Sequence, residues 1–205
     1  MQYFHVHPVT PQLRLIRRTA HILREGGEVA YPTDAAYALG CRVGEKDALE
    51  RIREIRRLDE NHNFTLFCRD LSQASLYANI DDGVFRLLHA YTPGAYTFIL
   101  RATKEVPRRL LHPKRKTIGL RIPDHPVPLA LLAELGEAIM SSTLILPGET
   151  EPLVDPEAIR DRLENQIDVL IDAGEGSAIP TTVVDLLEET PRILREGKGD
   201  PRPFR

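Results

Sequence analysis

Helical and strand-like patterns alternate along this whole chain, and that alternation limits the fold more than any other feature. Residues 12–24 carry Leu13, Ile16, Ala20 and Leu23 on one helical face, begun by Thr10-Pro11 and ended by Gly26-Gly27. A short apolar strand is predicted at 28–31. Pro32 closes it, because proline has no N–H to give to a ladder. The same reading predicts helices at 47–57, 71–78, 83–89, 126–135 and 155–163, the last capped by Asp155 with Pro156 in its first turn. Strands are predicted at 64–68, 96–101, 117–122, 137–143, 169–172, 182–186 and 193–196. Such an order predicts an α/β protein with a twisted mixed sheet and flanking helices. With 205 residues, no internal repeat and no long linker, residues 1–205 are expected to form one domain.

Composition narrows the function classes. Apolar residues at 42% and charged residues at 28% describe an ordinary globular chain. No apolar run approaches the roughly 18 residues of a membrane helix, and no signal peptide is read, so a cytoplasmic protein is expected, with no membrane partner. Cys41 and Cys68 form no CxxC pair, which fits core packing in a reducing compartment. His5-Val6-His7 offers two imidazoles without a third ligand, so no metal held directly by protein side chains is expected. The net charge of −3 hides an uneven distribution. Residues 101–121 hold eight cations against Glu105, whereas 149–189 hold 12 acids against Arg160 and Arg162. The basic run, Lys114, Arg115 and Lys116 in particular, is either a solvated hairpin or a surface for RNA.

Phosphate-loop, dinucleotide-fold and nucleophile-elbow motifs are absent. What remains is polar residues at predicted strand ends: Thr33 and Asp34, His62 and Asn63, Thr117, Arg121, Ser141 and Thr143, Thr181 and Thr182, and Arg195. Thr33 and Asp34 suit either an ordinary Asx-type turn or a ligand at a strand end. Arg121 lies within the apolar run Thr117-Ile-Gly-Leu-Arg-Ile-Pro123, and Arg195 within Ile193-Leu-Arg-Glu-Gly197. Each must snorkel, pair with a carboxylate or meet an anionic ligand, because an unpaired buried charge is costly.

Several segments resemble one family in order. Pro32-Thr-Asp-Ala-Ala-Tyr-Ala-Leu-Gly40 is similar to the PT(E/D)TxYGLG signature of the YrdC/YciO family. Thr92-Pro-Gly-Ala-Tyr-Thr-Phe-Ile-Leu100 resembles its WPGxLTxxL segment, and the run from Thr117 to Pro126 its TVxxRxPxHP segment. Thr181-Thr-Val-Val-Asp185 and Ile193-Leu-Arg-Glu-Gly197 resemble STVVD and xLRxG. The resemblance implies a sheet and helices around a basic cavity. In the threonylcarbamoyl-AMP synthases of tRNA modification, that cavity takes ATP with Mg2+, threonine and bicarbonate. Carried onto this chain, it implies nucleotide contacts from Arg56, Asn63, Thr117, Ser141, Thr143 and Arg195. It implies amino-acid or product contacts from Thr33, Arg121 and Thr181. Double-stranded RNA or tRNA binding without catalysis is the alternative function that the family suggests.

Departures from the synthases point to the YciO branch. Their KxR pair becomes Arg56-Arg57-Leu58, their SAN becomes Thr143-Leu144-Ile145, and His62-Asn-Phe-Thr-Leu66 follows. Leu58 and Ile145 have no side-chain donor. If each lost group served as a transition-state donor, the loss is about 3 kcal/mol per group. An ATP- or adenylate-binding protein with weak or altered adenylate-forming or ATP-hydrolysing activity is therefore expected.

Overall fold

The computed structural model describes residues 1–59, 62 and 64–205. The predicted helices form, with shifted ends: α1 at Leu13–Arg24, α2 at Lys46–Arg56, α3 at Leu71–Tyr77, α4 at Asp82–Tyr91, α5 at Pro126–Leu135 and α6 at Pro156–Leu163. Local chemistry sets most starts. The carboxylates of Asp70 and Asp81 accept N–H bonds from Gln73 and Val84 at 2.8 Å, and Asp155 accepts from Glu157 and Ala158 at 3.1 and 3.2 Å. His125 caps α5 through Nδ1, which accepts from Val127 N–H at 3.1 Å.

Among the described residues, ten strands form one mixed sheet: β1 (Gln2–His5), β2 (Val29–Tyr31), β3 (Ala38–Arg42), β4 (Thr65–Phe67), β5 (Tyr96–Arg101), β6 (Thr117–Arg121), β7 (Ile139–Thr143), β8 (Val169–Asp172), β9 (Thr182–Asp185) and β10 (Arg192–Arg195). Their order is β1-β8-β2-β3-β7-β4-β6-β5-β9-β10. Two strands, β1 and β3, have no counterpart in the sequence reading. β3 is buried on both faces, so it lacks polar alternation, and it holds Gly40 at its centre. A Cβ on Gly40 would stand 2.8 Å from the Ile139 side chain and 2.9 Å from Tyr31. The glycine allows three strands to pack there.

The sheet's two faces are covered unequally, and this positions the site. One face carries Ala30, Leu39, Leu66, Phe98, Leu100, Ile118, Leu120, Met140, Leu170 and Val184. Against it pack Leu49 and Ile52 of α2, Ala74 of α3, Leu88 of α4, and Ile159 and Leu163 of α6. The alternate residues Val29, Tyr31, Ala38, Phe67, Ile139, Val169 and Ile171 face the other way. Ile16, Ala20 and Leu23 of α1, with Val127, Leu131 and Leu132 of α5, cover them. That second layer stops at Phe67. Beyond it the same face presents Thr65, Thr97, Gly119, Arg121, Ser141, Thr143 and Val183, which the strand registers set side by side.

Among the described residues, no helix is long and apolar enough to cross a membrane.

Candidate functional site

The face left without a helix is concave and polar. A cavity of about 290 Å³ opens there, lined by Thr65, Thr97, Ser141, Ser142, Thr143 and Thr181, by Arg56, His62 and Arg195, and by Ile99, Ile145, Val183 and Leu194. A narrow extension of about 20 Å³ runs from it to Arg121, Phe67 and Ala35–Ala36. Hydroxyls therefore floor the site, cations flank it, and aliphatic side chains complete its wall.

Arg56 comes from the last turn of α2. Its Nε donates to the Ile145 carbonyl at 3.0 Å, and Nη1 donates to Ser142 Oγ. Arg195 comes from the edge strand β10 and donates from Nε and Nη2 to the Thr181 carbonyl at 3.1 and 3.0 Å, and from Nη2 to Thr181 Oγ1 at 3.2 Å. Thr181 Oγ1 also lies 2.9 Å from Thr97 Oγ1. Among the described residues, no carboxylate forms an ion pair with either arginine. Burial, and then the charge of Arg195, pushes the Arg56 guanidinium down to about 10; burial and the charge of Arg121 lower Arg195. Arg195 disfavours the charged form of Arg56, Arg121 does the same to Arg195, and among the described residues the two cavity cations meet only neutral acceptors, an arrangement that suits an anion.

Arg121 has a different environment. It is 5% exposed in the interior strand β6 and donates to Asp34 Oδ1 at 2.5 Å and to Thr33 Oγ1 at 3.2 Å. Its guanidinium lies over the Phe67 ring, 4.9 Å from the centroid. The buried arginine thus has a carboxylate from its own chain, at the sheet's interior rather than at an edge. Thr33 Oγ1 is already engaged, donating to the Ala36 carbonyl at 2.7 Å and accepting from Ala35 N–H at 2.9 Å. These contacts make a fixed wall behind the cavity. Asp34 Oδ2 and Arg121 Nε remain buried without a hydrogen-bond partner among the described residues.

The structure thus brings Arg56, Ser141, Thr143, Thr181 and Arg195 to one cavity, with Arg121 at its narrow end and Thr33 behind Arg121. Ser141 Oγ is tied to the buried Tyr31 hydroxyl. Thr117 is buried at the start of β6 and does not line the cavity; its hydroxyl has no partner among the described residues. Asn63 lies outside the described residues. Four lining residues, Thr65, Thr97, Ser142 and His62, have no role in the sequence reading, although His62 stands in its polar set. Alternation of Thr65 and Thr97 with Leu66 and Phe98 is the signal that marks the first two.

Leu58, at the position of the synthases' arginine, packs partly buried against the larger core, and Ile145 serves the site through its carbonyl. Among the described residues, no group of three or more His, Cys, Asp or Glu side chains is placed to hold a metal ion. His5 Nδ1 lies 2.9 Å from Asp172, while His7 Nδ1 accepts from Thr10 N–H at 3.0 Å. Cys41 and Cys68 are buried, and burial pushes each thiol up to about 12.

The basic run is not an unbroken basic face. Arg121 is inside, Arg115 pairs with Asp185 at 3.2 Å, and the groove that holds Arg101, Lys114, Arg115 and Arg192 also contains Asp185 and Glu188. The acidic segment reaches the basic one because β9 pairs with β5. Such a mixed surface does not favour the RNA-binding alternative. A larger groove of about 840 Å³ lies at the far edge of the sheet, where Arg51 pairs with Glu28 and Arg18 donates to Gln2.

Comparison with known proteins places the sequence and the fold. The family model for Sua5, YciO and YrdC proteins, described as telomere recombination, matches residues 21–197. YciO of Escherichia coli strain K12 is 54% identical over 99% of this chain and 98% of its own length, and the E. coli YciO crystal structure superposes with a TM-score of 0.97. Sua5 of P. abyssi, solved in complex with L-threonine, is 26% identical with a TM-score of 0.88 over 96% of this chain and 58% of that one. Threonylcarbamoyl-AMP synthase of Bacillus subtilis is 29% identical over 89% of this chain and 53% of its own length. The chain belongs to the Sua5/YciO/YrdC family.

Proposed function

We propose that the cavity binds ATP or a related adenylate and supports weak or altered adenylate-forming or ATP-hydrolysing chemistry. One observation carries this reading: Arg56 and Arg195 flank a hydroxyl-lined cavity and, among the described residues, are bonded only to neutral acceptors. Phosphate oxygens would supply the missing charge, and Ser141, Thr143 and Thr181 would supply hydroxyl contacts. Ile99, Ile145, Val183 and Leu194 offer apolar area for a base or sugar face. Sua5 of P. abyssi has been solved with L-threonine, which supports an amino acid as a ligand of the family, and here Arg121 and Thr181 would receive it.

Magnesium fits only with the nucleotide. Among the described residues the lining is hydroxylic, cationic, imidazole or apolar, without a carboxylate, so the ion's oxygen ligands would be phosphate and water. Arg56 and Arg195 hold and orient phosphates in this scheme, and the aliphatic wall limits water. Leu58 and Ile145 give no side-chain hydrogen bond, so rapid threonylcarbamoyl-AMP synthesis is not expected. Incubation with ATP, threonine, bicarbonate and magnesium, with pyrophosphate, phosphate and adenylates followed separately, tests this. Slow ATP loss with little adenylate is expected. Pyrophosphate and threonylcarbamoyl-AMP formed at a true synthase's rate would show that the two substitutions are compensated.

A further inference from the structure

The hydroxyl face of the cavity has one member whose environment differs from the others. Ser141, Thr143, Thr65 and Thr97 share one side of the sheet, whereas Ser142 lies on the alternate pleat at the end of β7 and faces α2. Its Oγ has two partners. Arg56 Nη1 must donate, because a guanidinium has no acceptor, and His62 Nε2 lies 3.2 Å away. With Oγ accepting from Arg56, the Ser142 O–H is free to donate to His62 Nε2. The His62 ring is fixed in turn by an edge-on contact with Phe64, 5.2 Å between centroids. Arg56, His62 and Ser142 are all among the residues at the cavity wall, where the end of β7 meets the end of α2.

We infer that Ser142 is a nucleophile, with His62 as its general base and Arg56 stabilising the developing alkoxide, and that it hydrolyses a carboxylic–phosphoric mixed anhydride. A hydroxyl within hydrogen-bond reach of a histidine and beside a cation has the geometry of an activated nucleophile. Burial, and then the charge of Arg56, pushes His62 down to about 4, so at neutral pH the imidazole is uncharged and free to accept. Arg53, Arg195 and Asp59 also act on it. An anion seated between Arg56 and Arg195 would offset the cationic field and strengthen the base once substrate is bound.

The choice of electrophile rests on the anion site proposed above. As Oγ attacks the acyl carbon, its proton passes to His62 Nε2. The new Oγ–C bond replaces the C–O bond to phosphate, which leaves with that electron pair and takes up the proton. Water then attacks the acyl ester; His62 removes the water proton and returns it to Ser142 Oγ as the ester bond breaks. Carboxylic acid and phosphate are the products, and no oxidant or further reactant is needed.

A fluorophosphonate probe on the full chain, with peptide mapping by mass spectrometry, tests the nucleophile without any variant. Acetyl phosphate serves as the small mixed anhydride. The expected results are a single adduct on Ser142, release of phosphate from acetyl phosphate, and loss of both in Ser142→Ala. His62→Gln should slow labelling by about 10²–10⁴-fold while the adduct stays on Ser142. No adduct on wild-type Ser142, or acetyl phosphate turnover unchanged in folded Ser142→Ala, would overturn the assignment. Calorimetric titration of ATP on the same preparation separates the two proposals. Labelling without ATP binding would uphold the nucleophile and reject the nucleotide site; ATP binding without labelling would do the reverse.

Discussion

Replacing Arg121 tests whether the wall of the cavity depends on one buried ion pair. Its guanidinium is 5% exposed and sits 2.5 Å from Asp34, which is itself largely buried. In Arg121→Met the side-chain volume is mostly kept, but Asp34 is left as an uncompensated carboxylate. Breaking a buried pair from one side costs about 3–5 kcal/mol. That is a large fraction of the 5–15 kcal/mol total of a typical domain. Asp34→Asn leaves the arginine unpaired and should cost a similar amount. In the double variant neither charge remains, so the loss should be clearly smaller than the sum of the single losses. Urea denaturation followed by circular dichroism gives all the corners of this cycle, and a coupling energy of at least about 2 kcal/mol is expected. Additive single losses, within about 0.5 kcal/mol, would refute the reasoning and place Arg121 in service of ligand alone. The cycle also bears on binding. A drop in ATP affinity on changing Arg121 must be read against the disturbed Thr33–Asp34 turn.

Two other perturbations follow from particular contacts. Glu28 is 1% exposed, and burial beside Asp168, only partly offset by Arg51, pushes it up to about 7 from 4.5. Its folded form therefore holds a proton that the unfolded chain releases, and this contribution is full below about pH 4.5 and lost as pH rises through about 7, by roughly 3 kcal/mol. Glu28→Gln should remove that part of the decline between pH 5 and 8 in urea midpoints, and an unchanged slope would contradict it. At Gly197, an added Cβ would meet the backbone of Pro180 and Thr181, so Gly197→Ala must displace the segment that seats Arg195. A stability loss of about 1–3 kcal/mol is expected in the same assay, and a neutral result would show that this close approach relaxes freely.

The helices were legible because their faces have clear periods and their caps are local; Asp155 with Pro156 is an example. β3 was not, since Ala38-Leu-Gly-Cys-Arg42 is buried on both faces and has no alternation to read. Arg121 was legible as a problem but not in its solution. Asp34 is distant along the chain and adjacent only through the sheet order that joins β6 to β4, β7, β3 and β2. The meeting of the basic and acidic segments was hidden for the same reason, as Arg115 and Asp185 come together through strand pairing. Ser142 was hidden between Ser141 and Thr143. Only the pleat distinguishes it, and only the end of α2 brings Arg56 to it.

The most direct test of the nucleotide site is a calorimetric titration of ATP with magnesium into the wild-type chain and into Arg56→Ala and Arg195→Ala. A charge-assisted hydrogen bond is worth about 1.5–3 kcal/mol, which is about 10- to 150-fold in Kd. The account predicts saturable binding to the wild type and a loss of that size in each variant, with unfolding midpoints little changed for Arg195, which sits on the edge strand β10. Equal affinity in all three proteins, or no saturable binding to the wild type, would contradict it.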